Sequence, residues 1–185
     1  MIALTFGLCH HTIMININGK LTDLQSFDWL SDSGFRYGYG CFETMRCVNG
    51  NVALFDYHYD RFISSLQAMS ISYSTSKKTL LARIQELYDA LESTPTTMVC
   101  RIYVSGGAIS PVPGFESVPN EIISLQPLSD APIATGYEFK RVTPTEFFKL
   151  KSMNYAHHII ELQSSKAWPI YVDHENIVID SSIFS

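Results

Sequence analysis

Two Asn-Gly turns constrain the fold of this chain more than any other feature of its sequence. Asn18-Gly19 follows the strand-like stretch 14–17, and Asn49-Gly50 follows the strand-like stretch 42–48. Asn-Gly favours the tight turn with positive φ angles that joins two antiparallel strands. The sequence therefore predicts two β-hairpins, the second of which returns over 52–55.

Two helices with one apolar face each are predicted after the second hairpin. Asp56 is the predicted N-cap of the first helix and Ser76 that of the second, which should run to about Leu91 before Pro95 stops it. The apolar residues of the first helix recur at three- and four-residue steps and are Tyr59, Phe62, Leu66 and Met69. Those expected to face inward from the second are Leu80, Leu81, Ile84, Leu87, Tyr88 and Leu91.

The remaining strand-like segments fall into two groups that a linker separates. Strands are predicted at 98–104 and 121–125, and the segment 127–136 is rich in Pro, Ser, Asp and Gly, which is typical of a linker. Beyond it the sequence predicts strands at 137–142 and 147–150, a helix from about 155 to 166, and a hairpin of 170–172 with 177–179. We therefore predict an N-terminal extension at 1–13, a small α/β domain at 14–126, an interdomain linker at 127–136 and the start of a larger second domain at 137–185.

Composition and charge exclude several classes of function. The 185 residues carry a formal net charge of −5 and the pI is about 5.6, whereas binding to nucleic acid or an anionic membrane needs clustered Lys and Arg. No stretch approaches the roughly 18 apolar residues of a membrane-spanning helix. The four cysteines have neither CxxC nor Cys/His metal spacing, which indicates reduced thiols and no metal site. We expect a cytoplasmic protein that binds neither nucleic acid nor a membrane.

Two lysines stand where a predicted strand ends and a helix begins. In the sequence FKLKSMNYAHHIIELQ, Lys149 and Lys151 share one face of the strand if Leu150 faces the core. Active groups are often placed at such element ends, and a lysine desolvated in a cavity loses its proton more readily and can act as a nucleophile. The alternative, that both lysines are solvated surface residues, stays open from these residues alone.

Several other polar residues are candidates for a site. Arg61 lies one residue off the apolar face of its helix, where it is either a solvated arginine or a phosphate ligand that donates two parallel hydrogen bonds. Asp180 follows a predicted buried strand, so its carboxylate needs a partner such as a protonated ring nitrogen. His58, His157 and His158 have no spacing typical of a metal site, and we interpret them as hydrogen-bonded polar residues at helix edges.

Four segments, in the order in which they occur, resemble the class IV pyridoxal-phosphate enzymes, the family of branched-chain aminotransferases, D-amino-acid aminotransferases and aminodeoxychorismate lyases. They are GFRYGYGCFETMR (34–46), NGNVALFDYHYDRF (49–62), KSMNY (151–155) and IYVDHENIVIDSS (170–182). The resemblance covers nearly all of residues 14–185. It implies an α+β fold of type IV, with two domains like those of D-amino-acid aminotransferase, a homodimer, and pyridoxal 5′-phosphate as cofactor.

The resemblance also implies roles for particular residues. Lys151 would form the Schiff base with the cofactor and move the proton at the substrate α-carbon. Arg61 would bind the cofactor phosphate, and Asp180 stands where the family usually has Glu, next to the pyridine nitrogen. An aspartate there needs a small backbone shift to compensate for its shorter side chain. The cofactor-binding residues implied in this way are Arg61, Lys151, Tyr155, Asp180, Ser181 and Ser182.

The resemblance favours one branch of the family over the others. The spacing KSMNY is similar to that of the lyases and D-amino-acid enzymes, whereas the loop SGGAISPVPGF lacks the Arg-x-His carboxylate trap of the D-amino-acid enzymes. Ser105-Gly106-Gly107 and Gly40-Cys41-Phe42 look like aminodeoxychorismate lyase, although Glu43 stands where some lyases have Thr and Tyr39 replaces the usual Asp. We predict a lyase that converts 4-amino-4-deoxychorismate to 4-aminobenzoate and pyruvate, with a class IV aminotransferase for branched-chain or D-amino acids as the alternative.

Family members continue beyond the serine segment with further strands and a helix that contacts the cofactor phosphate, and this sequence ends at Ser185. The second domain is therefore predicted to be incomplete, as in a fragment or a C-terminally truncated relative. A third possibility follows, in which the chain is an inactive homologue that serves as a binding or dimerisation domain.

Overall fold

The computed structural model describes residues 14–23, 27–91, 95–108, 117–128, 136–143, 150–164 and 167–181. Within them the strands are β1 (Met14–Ile17), β2 (Lys20–Asp23), β3 (Gly40–Val48), β4 (Asn51–Val52), β5 (Thr97–Ser105), β6 (Asn120–Pro127), β7 (Tyr137–Arg141), β8 (Trp168–Val172) and β9 (Val178–Ser181). The helices are α1 (Ser33–Tyr37), α2 (Phe55–Ala68), α3 (Lys77–Asp89) and α4 (Ala156–Ser164). The predicted extension at 1–13 lies outside the described residues.

Strands β1 to β6 form an antiparallel sheet in the order β2-β1-β6-β5-β3-β4. Both predicted hairpins are confirmed, because Asn18 and Gly19 (φ 52° and 83°) and Asn49 and Gly50 (φ 47° and 79°) adopt the positive φ angles of such turns. The second hairpin differs from the prediction in one respect. Its return strand pairs only over Asn51–Val52 before the chain enters α2.

Helices α2 and α3 begin in different ways. Ser76 caps α3 as predicted and accepts a hydrogen bond from the backbone N–H of Thr79. The prediction of Asp56 as the N-cap of α2 is wrong, since Leu54 occupies that position in the left-handed conformation and Asp56 lies in the first turn. There its carboxylate accepts a hydrogen bond of 3.0 Å from the Lys77 ammonium. Because the return strand is short, α2 begins at Phe55, which is earlier than a helix capped by Asp56 would begin.

One face of the six-stranded sheet and the apolar faces of α2 and α3 enclose the core. The fully buried helix residues are Phe62, Leu66, Leu80, Ile84 and Leu87, which follow the predicted spacing. Leu81 differs from the prediction and is 40% exposed, because it lies 100° around the helix from Leu80. Inward-facing strand residues complete the core and include Met45, Cys47, Cys100, Ile102 and Ile123. The described cysteines Cys41, Cys47 and Cys100 are buried free thiols.

A second sheet has the order β7-β8-β9, in which β7 and β8 are parallel and β8 and β9 antiparallel. The predicted hairpin of 170–172 with 177–179 is confirmed, and the Asp173 carboxylate stabilises its turn by accepting hydrogen bonds from the N–H groups of Glu175 and Ile177. The predicted strand 147–150 lies almost wholly outside the described residues, and so does Lys149. Residues 129–135 are outside them as well, and the division into domains stays a prediction.

Candidate active site

Lys151 is fixed in place by backbone pairing with the edge of β3. The N–H of Phe42 donates to the carbonyl of Lys151 at 3.0 Å, and the N–H of Met153 donates to the carbonyl of Gly40 at 2.8 Å. Cys41 and Ser152 form an isolated antiparallel bridge between these two hydrogen bonds. The segment that carries Lys151 therefore extends the first sheet at the side of β3 that β5 leaves open.

The Lys151 amine is half-buried over an aromatic ring and lies within reach of three charged groups. Its Nζ is 5.2 Å from the centre of the Phe42 ring. Burial and, to a smaller extent, the positive charge of Arg61 lower the pKa of Lys151, while Glu43 and Asp180 act in the opposite direction. A lowered pKa makes more of the nucleophilic, unprotonated amine available at neutral pH.

Arg61, on α2, is held by a buried carboxylate from β3. Its Nε donates to Oε1 of Glu43 and its Nη2 to Oε2, each at 2.7 Å, and this pairing is the largest cause that raises the pKa of Arg61. Nδ1 of His58 lies 2.8 Å from the same Oε2. The ion pair with Glu43 uses Nε and Nη2 of Arg61, so the N–H groups of Nη1 remain available to a second anion.

Glu43 is a residue of the candidate site whose contacts the sequence reasoning did not predict. Its side chain is 1% exposed, and it holds both Arg61 and His58. A signal was present, because Cys41, Glu43 and Met45 alternate along one strand and place an acid among inward-facing apolar residues. A carboxylate in such a position requires a cationic partner.

Asp180, on β9, is brought next to His158 of α4. Oδ2 of Asp180 lies 3.6 Å from Nε2 of His158. His158 is 2% exposed, which differs from the predicted position at a helix edge, and the ring of its neighbour His157 is exposed. Burial is the main cause that lowers the pKa of His158 to about 4, with smaller contributions from His157 and Lys151.

Tyr155 lies between Phe42, which is under the Lys151 amine, and the pair of His158 and Asp180. Its ring stacks on that of His158, with 4.0 Å between centres, and meets the edge of the Phe42 ring at 5.4 Å. Burial raises the pKa of Tyr155 to about 12, so its hydroxyl stays protonated at neutral pH. Tyr155, His158 and Asp180 line a cavity of about 470 Å³ together with Ser152 and Asn154.

The structure thus brings four of the predicted residues, Lys151, Arg61, Tyr155 and Asp180, into one region. The side chain of Ser181, at the end of β9, and the whole of Ser182 lie outside what the structure describes. Among the described residues, no group of three or more His, Cys, Asp or Glu could hold a metal ion. In the same part of the chain, no helix is long and apolar enough to cross a membrane.

Comparisons with known proteins bear on the family and the fold of the chain. Residues 40–183 match the family model described as amino-transferase class IV. The aminodeoxychorismate lyase of Bacillus subtilis (strain 168) is 28% identical over 160 residues, which are 79% of this chain and 53% of that protein. The chain therefore spans about half the length of this curated relative.

Solved structures share the fold at low sequence identity. The 4-amino-4-deoxychorismate lyase of Pseudomonas aeruginosa superposes with a TM-score of 0.72 at 20% identity, over 91% of this chain and 64% of that one. A branched-chain aminotransferase of Thermoproteus uzoniensis with norvaline gives 0.75 at 15% identity, over 92% and 63%. The PLP-bound form of a hypothetical aminotransferase from Mycobacterium tuberculosis gives 0.71 at 15% identity, over 91% and 65%.

These neighbours confirm the prediction of an α+β fold of type IV. Enzymes of this family use pyridoxal 5′-phosphate, and the compared Mycobacterium tuberculosis structure is a PLP-bound form. The residues of the site fit such a group, because they combine an amine of lowered pKa, a guanidinium with unused donors and a carboxylate beside a cavity. The match over 40–183 covers most of the sequence, and we conclude that the chain belongs to the class IV aminotransferase family of pyridoxal-phosphate enzymes.

Proposed function

We propose that the protein is a pyridoxal-phosphate-dependent lyase that converts 4-amino-4-deoxychorismate to 4-aminobenzoate and pyruvate. The observation that carries the proposal of an active site is the half-buried Lys151 amine, whose pKa responds to Arg61, Glu43 and Asp180 together. The choice of a lyase is supported by the similarity to the aminodeoxychorismate lyase of Bacillus subtilis. It is also supported by the KSMNY spacing noted above.

In this proposal each residue has a distinct task. Lys151 would hold the cofactor and would carry the proton that leaves the substrate carbon bearing the amino group. Arg61 binds the phosphate through donors that Glu43 does not occupy, and Asp180 keeps the ring nitrogen protonated. The cofactor supplies an electron-withdrawing ring that stabilises negative charge on that carbon. The bond between the neighbouring ring carbon and the enolpyruvyl oxygen would then break, the released enolpyruvate would take up a proton to become pyruvate, and the ring would become aromatic.

Tyr155 and Phe42 form the apolar side of the site. Their rings meet edge to face at 5.4 Å, and the Lys151 amine lies over the Phe42 ring. Such a wall limits access of water to the amine and keeps its pKa low. We propose Tyr155 as a cofactor ligand because its protonated hydroxyl can donate a hydrogen bond beside Asp180.

An aminotransferase is the second candidate. The structural similarity to a branched-chain aminotransferase, with a TM-score of 0.75, favours it as strongly as the similarity to the lyase of Pseudomonas aeruginosa. The two reactions differ in their products. A lyase releases 4-aminobenzoate without an acceptor, whereas an aminotransferase moves the amino group from a branched-chain or D-amino acid to a 2-oxo acid.

Product analysis distinguishes the candidates. Purified protein with pyridoxal 5′-phosphate is incubated with 4-amino-4-deoxychorismate and, separately, with amino donors and 2-oxo acids, and the products are separated by chromatography. Release of 4-aminobenzoate that is lost in Lys151→Ala and kept in Lys77→Ala supports the lyase. Transamination without 4-aminobenzoate refutes the lyase in favour of the aminotransferase.

Covalent labelling tests the assignment of Lys151 independently of the substrate. Protein mixed with pyridoxal 5′-phosphate is reduced with borohydride, digested and mapped by mass spectrometry. We expect the adduct on Lys151 ahead of Lys77 and Lys140, because carboxylate partners raise the pKa of both of those partly exposed lysines. Equal labelling of all lysines, with no visible absorbance from bound cofactor, would favour the inactive binding or dimerisation domain.

We further propose that the protein works as a cytoplasmic homodimer, as the family resemblance implies. The domain division at 127–136 belongs to the same proposal. Light scattering of the purified protein coupled to size-exclusion chromatography gives the mass in solution, and the mass of a monomer at micromolar concentration would contradict the dimer.

A further inference from the structure

We infer that His158 is a positioning residue that orients the Asp180 carboxylate towards the ring nitrogen of the cofactor. The inference rests on the proposed function, in which Asp180 keeps that nitrogen protonated. It concerns a residue that the family resemblance did not assign to the site. It follows from three observations on α4 and the hairpin of β8 and β9.

The first observation is the location of the His158 ring. Nε2 lies 3.6 Å from Oδ2 of Asp180, which is a close polar contact slightly longer than a hydrogen bond. Rings on two other sides fix its plane, since Tyr155 stacks on it at 4.0 Å and Tyr171 meets it edge-on at 4.9 Å. The stacked and edge-on rings limit rotation of the imidazole, so its Nε2 stays beside the Asp180 carboxylate.

The second observation is an irregularity in β9 next to Asp180. Asp180 pairs with Tyr171, whereas the next pair joins Val172 to Val178, so that Ile179 is an extra residue on its strand. Such bulges bend the strand and redirect neighbouring side chains. Asp180 and Tyr171 are cross-strand partners, and both contact His158. The bulge and the histidine act on the same carboxylate, which has one methylene fewer than the glutamate usual in the family.

The third observation is the charge state of the histidine. Burial, helped by His157 and Lys151, lowers the pKa of His158 to about 4, so the ring is neutral at pH 7. A neutral imidazole donates one N–H to a carboxylate without adding a positive charge. An imidazolium in the same place would compete with a protonated ring nitrogen for Asp180. The neutral ring therefore orients the acid and leaves its charge for the cofactor.

The test reads the protonation of the cofactor directly. The protein is loaded with pyridoxal 5′-phosphate labelled with ¹⁵N in the ring, and the ¹⁵N chemical shift is recorded for wild type, His158→Phe, His158→Gln and His174→Phe. The dissociation constant of the cofactor and the thermal unfolding of each variant are measured in parallel. His174→Phe is the matched control, because it makes the same substitution at a histidine that is 81% exposed in the turn between β8 and β9.

We expect the shift of a protonated ring nitrogen in wild type, His158→Gln and His174→Phe, since Gln keeps an N–H donor and His174 lies in the exposed turn. In His158→Phe the shift should move towards that of the unprotonated ring, and the dissociation constant should rise about ten- to a hundredfold, the range of one hydrogen bond to a charged group. His158→Leu replaces the Phe variant if that variant does not fold.

Two results would overturn the inference. One is a protonated nitrogen in the apolar variants, and the other is a loss in His158→Gln equal to that in His158→Phe, which would mean that the ring acts by shape. These outcomes are distinct from failure of the proposed function. A wild-type protein that takes up no cofactor on Lys151 refutes the proposed site as a whole.

Discussion

Replacing Glu43 with Gln tests whether the buried carboxylate is what holds Arg61. The substitution keeps the volume of the side chain and removes its charge. In the wild type both carboxylate oxygens accept from the guanidinium at 2.7 Å, and one of them also contacts His58 at 2.8 Å. The amide of Gln retains one acceptor and turns an NH₂ group towards donors of Arg61, which cannot accept a hydrogen bond.

The expected loss of stability follows from the geometry. Two unit charges about 4 Å apart attract with about 4 kcal/mol at an effective dielectric constant near 20, and breaking a fully buried pair costs about 3–5 kcal/mol. Glu43 is 1% exposed, whereas the side chain of Arg61 is 31% exposed, so water recovers part of the interaction of the guanidinium. We therefore expect Glu43→Gln to lower the free energy of unfolding by about 2–3 kcal/mol.

Urea denaturation followed by circular dichroism measures this change. Asp56→Asn is the matched control, since it removes a carboxylate that pairs with Lys77 at 3.0 Å on the surface, where Asp56 is 86% exposed. The control should leave the unfolding midpoint unchanged within measurement error, because solvent screens exposed pairs. Equal and small effects of both substitutions would refute the argument that Glu43 holds Arg61 through a buried charge.

Three further outcomes are expected. Arg61→Lys keeps the charge but loses the planar fork, so binding of pyridoxal 5′-phosphate should weaken about tenfold in a fluorescence titration, while binding of pyridoxal, which has no phosphate, should not change. Leu80→Ala empties a fully buried position and should cost about 2–5 kcal/mol in urea denaturation, against less than about 1 kcal/mol for Leu81→Ala at the exposed neighbour. Lys151→Met should stabilise the cofactor-free protein at neutral pH. Burial lowers the pKa of Lys151 below its usual 10.5. Between the lowered pKa and pH 10.5 the unfolded chain therefore binds more protons than the folded protein, and the free energy of unfolding of the wild type rises with pH. The gain of Lys151→Met should therefore shrink towards pH 10.5, and a gain independent of pH would contradict this assignment.

Local patterns predicted the elements of this fold because those elements depend on near neighbours. Asn18-Gly19 specifies its turn from two residues, and Ser76 caps α3 from a position three residues before the N–H that it binds. Leu81 shows the limit of this reasoning, since a leucine in a helix is apolar whichever way it faces. The start of α2 was missed for a related reason. The length of the second hairpin, set by pairing across the sheet, overrode the preference of Asp56 for a cap.

The contacts of the candidate site join residues that are distant in sequence, which is why the sequence indicated candidates such as Arg61 and Asp180 but not the side chains that they meet. Glu43 and Arg61 are 18 residues apart and meet because α2 packs on β3. His158 lies on α4 and Asp180 on β9, so no local sequence pattern includes both residues. An acid among inward-facing strand residues indicates that the carboxylate needs a buried partner. The strand pattern does not identify which residue that partner is.

Strand β3 sets the relative positions of the amine and the guanidinium. Neighbouring strand residues point to opposite faces of a sheet, so Glu43 reaches Arg61 on the helix side while Phe42 lies under the Lys151 amine on the other. The backbone of the same strand holds the lysine segment at Gly40 and Phe42. A Cβ at Gly40 would lie 2.6 Å from the carbonyl oxygen of Val104 on β5, so the close approach of β3 and β5 requires glycine at this position. A shift of β3 would therefore move both anchoring contacts together, namely the Glu43 carboxylate that holds Arg61 and the backbone that pairs with the lysine segment.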